Sequence, residues 1–314
     1  MAISKHIEEF HGLPVHDFTD HEGTPDAGPA PESVAWRVQV EYDGGQDFAA
    51  VWAAFTAAVD TTRVRALVIG PWWEEEYELV TPVVTALVAD AARFPQLRGL
   101  FLGEVTFEEC EISWLQMDDV TPLLTAYPEL TELVVRGADG DYEGNGGLRL
   151  EPVKHQHLRA LRFESGGLPG EVVRAVLASE LPALERLEFW LGTSDYGASY
   201  TDEDLAPLLS GELFPALRHL GLENGMRQDA LAAAVAAAPL TARLDGLSLA
   251  LGTLTDAGSD ALLGLTHLKR LDLHHHYLTA AAQERLRAAL PGVELDLSGA
   301  EDPEDDWRYV ANGE

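Results

Sequence analysis

The sequence predicts an α/β fold assembled from repeated strand–helix units, on three observations. A phrase of spaced leucines recurs along the chain, each copy ends in period-two spacing, and the stretches between copies have helical spacing or composition. Strong copies begin at Phe94, Tyr127, His155, Leu181, Phe214 and Leu265, reading FPQLRGLFL, YPELTELVV, HQHLRALRF, LPALERLEF, FPALRHLGL and LTHLKRLDL. VRALVI from Val64, LDGLSL from Leu244 and VELDL from Val293 extend the series to nine. The first apolar anchors are Val64, Leu97, Leu130, Leu158, Leu184, Leu217, Leu244, Leu268 and Val293, spaced 24 to 33 residues apart. Such a period marks a repeat architecture.

In L-x-x-L-x-L the last two leucines stand two apart, so a strand turns both to one side and its other residues to the opposite face. One short strand per unit follows. TPVVTALVADAARF, PGEVVRAVLAS, TDEDLAPLL, MRQDALAAAVAAA, TDAGSDALLGL and TAAAQERLRAAL predict the helices between strands. Thr201 with Asp204 resembles a capping box at the start of one of them. Strand and helix in alternation imply a parallel sheet. Ahead of the repeats, SVAWRVQVEY alternates like a strand, and DFAAVWAAFTAAVD sets Phe48, Val51, Trp52, Phe55 and Val59 on one helical stripe. Together they would cover the apolar edge of the first unit. The chain divides into a loop and α/β cap over 1–62, a solenoid of about nine units over 63–298 and an acidic tail over 299–314. DHEGTPDAGPAPES, within the cap region, reads as a loop. The tail is expected to be flexible unless Trp307 docks.

LTHLKRLDLHHHYLTAAAQERL and LDGLSLALGTLTDAGSDALLGL carry a resemblance to leucine-rich-repeat proteins over roughly residues 63 to 298. Unit length resembles the helix-containing, ribonuclease-inhibitor-like subtype. The resemblance implies a horseshoe, with a concave parallel sheet and convex helices. EFHGLPVHDF and RALVIGPWW also resemble a group of bacterial leucine-rich-repeat proteins whose genes lie near those of radical-SAM enzymes. That context implies a modifying enzyme or its peptide substrate as partner.

Composition narrows the function classes. With 53 acidic residues against 21 Lys plus Arg, the formal net charge is −32, a field that repels phosphate backbones. Nucleic acid and anionic membranes are therefore disfavoured, and a basic protein partner is compatible. No basic patch leads into an apolar run and no stretch approaches roughly 18 apolar residues, so a cytoplasmic protein is expected. Cys110 is the only cysteine, which excludes an intrachain disulfide and a multi-cysteine metal site. G-x-x-x-x-G-K-[ST], G-x-S-x-G and H-E-x-x-H are all absent. DGDYEGNGG offers Asp139, Asp141 and Glu143 at calcium-loop spacing, but Leu150 stands where the bidentate Glu belongs. No catalytic residue, cofactor or metal is expected.

Register along the strands selects the residues that face away from the leucines. Small ones, Ala66, Gly70, Gly99 and Gly103, occupy the early units, and charge gathers in the middle. Arg136, Arg162, Arg186, Glu188, Trp190, His219, Glu223, Asp272 and His274 form the candidate binding set for a protein or peptide. Two readings stay open for its charges, a positive stripe of the three arginines and a set of cross-strand ion pairs with the glutamates. Trp190 reads as a binding anchor or as a side chain packed under the following loop. Longer units place Trp72, Trp73, Tyr77, Phe107, Trp114, Tyr196 and Tyr200 in loops along one rim, either as a sticky aromatic edge or packed beneath those loops. A metal-dependent enzyme or accessory protein using Asp272, His274 and His219 is the rival class. An acidic nucleic-acid mimic that sequesters a basic protein is the third. Within LHHHYL, His274 is the last outward strand residue, and His276 falls where the repeat family places a turn-forming asparagine.

Overall fold

The computed structural model describes residues 3–18, 28–140, 143–302 and 307–313. Loop residues 20–27, Asp141 of the calcium-like stretch and the acidic run 303–306 lie outside them. Among the described residues, twelve strands form one sheet in chain order. The first pair, β1 (Glu9–Phe10) and β2 (Leu13–Asp17), is an antiparallel hairpin. It turns through His11 and Gly12 at φ 53° and 67°, the left-handed backbone that two-residue hairpin loops require. From β2 onward every neighbour is parallel, beginning with β3 (Ala35–Val38).

The nine copies of the leucine phrase supply β4 (Ala66–Ile69), β5 (Gly99–Leu102), β6 (Glu132–Arg136), β7 (Ala160–Glu164), β8 (Arg186–Gly192), β9 (His219–Gly225), β10 (Gly246–Ser248), β11 (Arg270–Asp272) and β12 (Glu294–Asp296). Trp36, Leu67, Leu100, Leu133, Leu161, Leu187, Leu220, Leu247, Leu271 and Leu295 pair in register as one row across the sheet. All nine predicted anchors are buried. Each such aliphatic side chain contributes roughly 2 kcal/mol by leaving water.

Helices cover the leucine side: α1 (Phe48–Ala58), α2 (Thr81–Ala89), α3 (Thr121–Ala126), α4 (Gly170–Leu177), α5 (Asp202–Leu209), α6 (Gln228–Ala236), α7 (Asp256–Leu262) and α8 (Ala280–Ala289). The Asp47 carboxylate caps α1 by accepting from the Ala50 N–H, and Phe48, Val51, Trp52 and Phe55 are buried beneath that helix. α5 opens with the Thr201–Asp204 capping box, both hydrogen bonds present. Between β6 and β7 the described residues contain no helix. Gly137, Gly144, Gly146 and Gly147 hold positive φ there, and this glycine content keeps the segment in turns. Among the described residues no helix is long and apolar enough to cross a membrane.

The last described segment runs back over the sheet's loop edge. Ala311 N–H donates to Leu251 O at 2.8 Å, and Asn312 exchanges two hydrogen bonds with the buried Asn224. Ser113 Oγ donates to Gly313 O at 2.5 Å. Val310, Ala311 and Asn312 are buried, while Trp307 stands exposed. Buried small residues, the paired amides and the hydrogen bonds between Tyr309 and Tyr277 all hold this end.

Candidate functional site

The face opposite the leucines has two unlike halves. On β3–β6 its outward residues Ala35, Ala66, Val68, Phe101 and Val134 form an apolar cluster with Phe10 at the centre. The chain's own N-terminal hairpin lies on them. A Cβ on Gly99 would stand 2.9 Å from the His11 Cβ, so glycine is what lets the hairpin approach this closely. Polar contacts fix its edges. His6 Nδ1 lies 2.9 Å from Glu104 and His11 Nδ1 2.7 Å from Glu132. The Ile7 N–H donates to Glu104, which also meets Arg37 at 2.9 Å. Glu104 is fully buried, and a buried carboxylate needs such donors.

On β7–β12 the face is charged. Counted from the anchors Leu130, Leu158 and Leu184, Arg136 comes six residues on, Arg162 four and Arg186 two. The three arginines therefore step diagonally across the strands. In register Arg136 opposes Glu164, Arg162 opposes Glu188 and Arg186 opposes His219. No positive stripe forms. Arg136 Nε donates to Glu164 at 2.6 Å and its Nη1 to Val105 O, with the guanidinium 5.0 Å above the Phe101 ring. Arg162 Nε sits 2.9 Å from Glu164 and 3.5 Å from Glu188. Glu188 also takes Arg186 at 3.0 Å and His219 at 2.8 Å. Burial alone would raise the Glu188 pKa, but His219, Arg162 and Arg186 outweigh it and hold the carboxyl down to about 2.

Trp190 is buried in a cluster with Ile112, Ala250, Leu251 and Ala311, and half-buried Ile3 packs against it. The expectation of an outward anchor gives way to a covered ring, because both chain ends close over it. Its Nε1 donates to Glu223 at 2.6 Å and its ring lies under Arg162, 5.3 Å from the guanidinium carbon. Burial raises the Glu223 pKa even with Arg162 near.

The three consecutive histidines reach three separate partners. His274 Nδ1 lies 2.7 Å from Asp272, and that hydrogen bond raises the imidazole pKa. His275, at φ 54°, reaches Tyr309 O. Fully buried His276 meets Leu297 O and accepts from the Leu278 N–H, the bridging role of a turn asparagine. Among the described residues, the one set of three metal-capable donors is Asp272, His274 and Asp296. His219 is absent from it because its strand, β9, is separated from β11 by β10, and its ring pairs with Glu188 on β8. Asp272 and Asp296 are directly paired on β11 and β12, a relation the sequence spacing concealed.

Along the loop rim, Trp72 and Trp73 are buried, and Trp73 meets the Tyr77 ring edge-on. Tyr200 packs against the core. Phe107, Trp114 and Tyr196 are exposed. Burial pushes the Cys110 thiol up to about 12, so it is not a thiolate at neutral pH.

No protein-family model matches the sequence. No curated protein matches it either. Among solved structures, a protein from Bacteroides fragilis is similar at TM-score 0.79 and 27% identity, over 88% of this chain and 77% of that one. An internalin from Listeria monocytogenes aligns at TM-score 0.31 and 14% identity over 77% of each chain. The chain in a TLR13–ssRNA13 complex aligns at 0.35 and 15%, over 78% of this chain and 34% of that one. The repeated L-x-x-L-x-L phrase, folded as successive strands of one parallel sheet with its leucines in a single row, decides the fold. The chain is a leucine-rich-repeat solenoid. Within that solenoid, sequence reasoning missed Phe10, His6, His11, Glu104 and Asp296. In the run of small outward residues, Ala66 and Gly99 lie under the hairpin and were the available signal that something covers the first units, whereas Gly70 faces Gln39 and Gly103 faces Leu115.

Proposed function

We propose that this leucine-rich-repeat solenoid is a non-enzymatic cytoplasmic scaffold that binds a protein or peptide on the open half of its concave face and the adjoining rim. Arg162, Arg186, His219, Asp272 and His274 supply the accessible contacts. Glu188 pairs with Arg162, Arg186 and His219 from beneath, Glu223 accepts from Trp190, and Arg136 and Trp190 hold the layer in place. One observation carries the reading: the chain's own residues 3–17 already lie on the other half of the same face, which is the way such a surface takes a peptide. Affinity purification from the native cell identifies the partner, and Arg186→Glu with His274→Ala should weaken its binding about tenfold or more. A partner that binds both variants as tightly as the parent would sink this site.

A second reading has one observation in its favour, the Asp272, His274 and Asp296 donors. One imidazole and two carboxylates suit a divalent transition metal. Elemental analysis of the purified protein, with zinc titration of His274→Ala against the parent, decides it; equal titrations remove the reading.

A further inference from the structure

The rim above the concave face carries its own signal, in the distribution of exposed apolar side chains. All seven exposed large hydrophobic residues among the described positions lie in segments that follow the C-terminal end of a strand, and none lies in a helix-to-strand turn. A random scatter would populate both edges. Three of them lie on two segments that meet the returning C-terminal end. Phe107 and Trp114 share the segment after β5, and Ser113 beside Trp114 is hydrogen-bonded to Gly313. A Cβ on Gly313 would in turn lie 3.3 Å from the Tyr196 ring. The returning C-terminal segment thus joins Trp114 to Tyr196 across intervening strands.

Within the two loops that follow β4 and β5 the charge has one sign, although the N-terminal segment brings Lys5 and His6 beside them, Phe107 N–H donating to Ile3 O and His6 Nε2 lying 3.2 Å from Glu109. Between Arg65 and Arg93, and again between Arg98 and Arg136, the sequence contains no Lys or Arg. Arg136 itself is buried against Glu164. The same stretches carry Glu75, Glu76, Glu78, Glu108 and Glu111 on the two loops, which touch where Cys110 meets Tyr77. Asp195 adds an exposed carboxylate beside Tyr196. Exposed aromatic faces attract cations, and guanidinium groups pair with carboxylates. The −32 net charge steers a cationic segment toward the molecule.

We propose that this rim, as the docking edge of the scaffold on whose reading the inference rests, binds an Arg- and Lys-rich segment of the partner protein. The cationic groups lie over Trp114 and Tyr196 and pair with Glu108 and Glu111. Phe107 contacts the aliphatic stems, which bury against apolar surface.

Calorimetric titration of the full chain tests this with a capped decapeptide of alternating Arg and Ala, and with its Glu–Ala counterpart. The Arg peptide should bind saturably, more weakly at about 0.5 M than at about 50 mM salt, and the Glu peptide should not bind. Trp114→Ala should weaken the Arg peptide about tenfold. Glu108→Lys/Glu111→Lys, which leaves the aromatic side chains in place, should weaken it further. The charge-matched Asp260→Lys/Glu284→Lys on the convex helices should change affinity less than about twofold. The inference fails if no binding appears at about 1 mM peptide, if both rim variants bind as the parent does, or if the convex variant loses as much as the rim double variant. Those failures leave the concave-face reading standing, since it is tested at Arg186 and His274. Loss of partner binding on the rim variants, with Arg186→Glu and His274→Ala neutral, would instead retain the rim and remove the concave site.

Discussion

β3–β6 and β7–β12 share one register and one leucine row, yet their outward faces met opposite ends. On the first, small and apolar residues leave room, and the chain's own hairpin fills it around Phe10. On the second, arginines and glutamates alternate both along and across the strands, satisfy one another and remain open to solvent at Arg186 and Arg270. What decides whether a concave repeat surface is covered or available is thus the size of two outward positions per strand, not the repeat itself. Arg136 and Glu164, on β6 and β7, mark the boundary.

That contrast can be broken at its boundary first. Arg136→Ala leaves Glu164 buried with Arg162 as its remaining ion-pair partner, and urea unfolding should register a loss of about 3 kcal/mol. A loss below about 1 kcal/mol would mean that the boundary pair is ordinary surface electrostatics. Phe10→Ala should come next, at about 2 kcal/mol, with residues 3–17 becoming protease-sensitive while the repeats stay protected. If the hairpin stays protected, its polar contacts and not Phe10 hold it down.

Acid sharpens the comparison from the other side. Burial holds His155 and His276 below their ordinary pKa values, so the fold favours their neutral forms. Their contribution is complete above the unfolded value of about 6.5 and is lost as pH falls through the lower folded value. His274 is raised by its hydrogen bond to Asp272, so its contribution is present in acid and disappears as pH rises. Melting temperature should fall between about pH 7.5 and pH 5.5. His276→Asn, which can keep both backbone hydrogen bonds, should flatten that fall, and His274→Ala should steepen it. The smallest effect belongs to Arg186→Ala on the open half, below about 1 kcal/mol in the same urea assay, even though partner binding should suffer.

The leucine-row architecture was legible because period-two spacing recurs, and one weak copy gains meaning from eight others. Helix starts such as Thr201 were legible because capping is local chemistry. Pairing on the concave face was less so. Offsets of six, four and two residues from successive anchors already placed Arg136, Arg162 and Arg186 on a diagonal, but which glutamate each would meet depends on side-chain reach across strands. Asp296 escaped notice because its partner Asp272 is 24 residues away and becomes a neighbour only through β11–β12 pairing. The coverings escaped because EFHGLP and VANG contain no repeat, and their places are set by distant groups such as Glu104 and Asn224.

The Asn224–Asn312 pairing has a mechanical consequence. An open solenoid frays from its ends, because each unit holds only its immediate neighbours. Here residues 309 to 313 are stitched to β9 itself and to segments following β11, β10 and β5, so the terminal turns cannot peel away while that seam is closed. Force applied to the last residues would rip the seam before it loaded any strand, making the seam a fuse that shields the sheet from traction on that end.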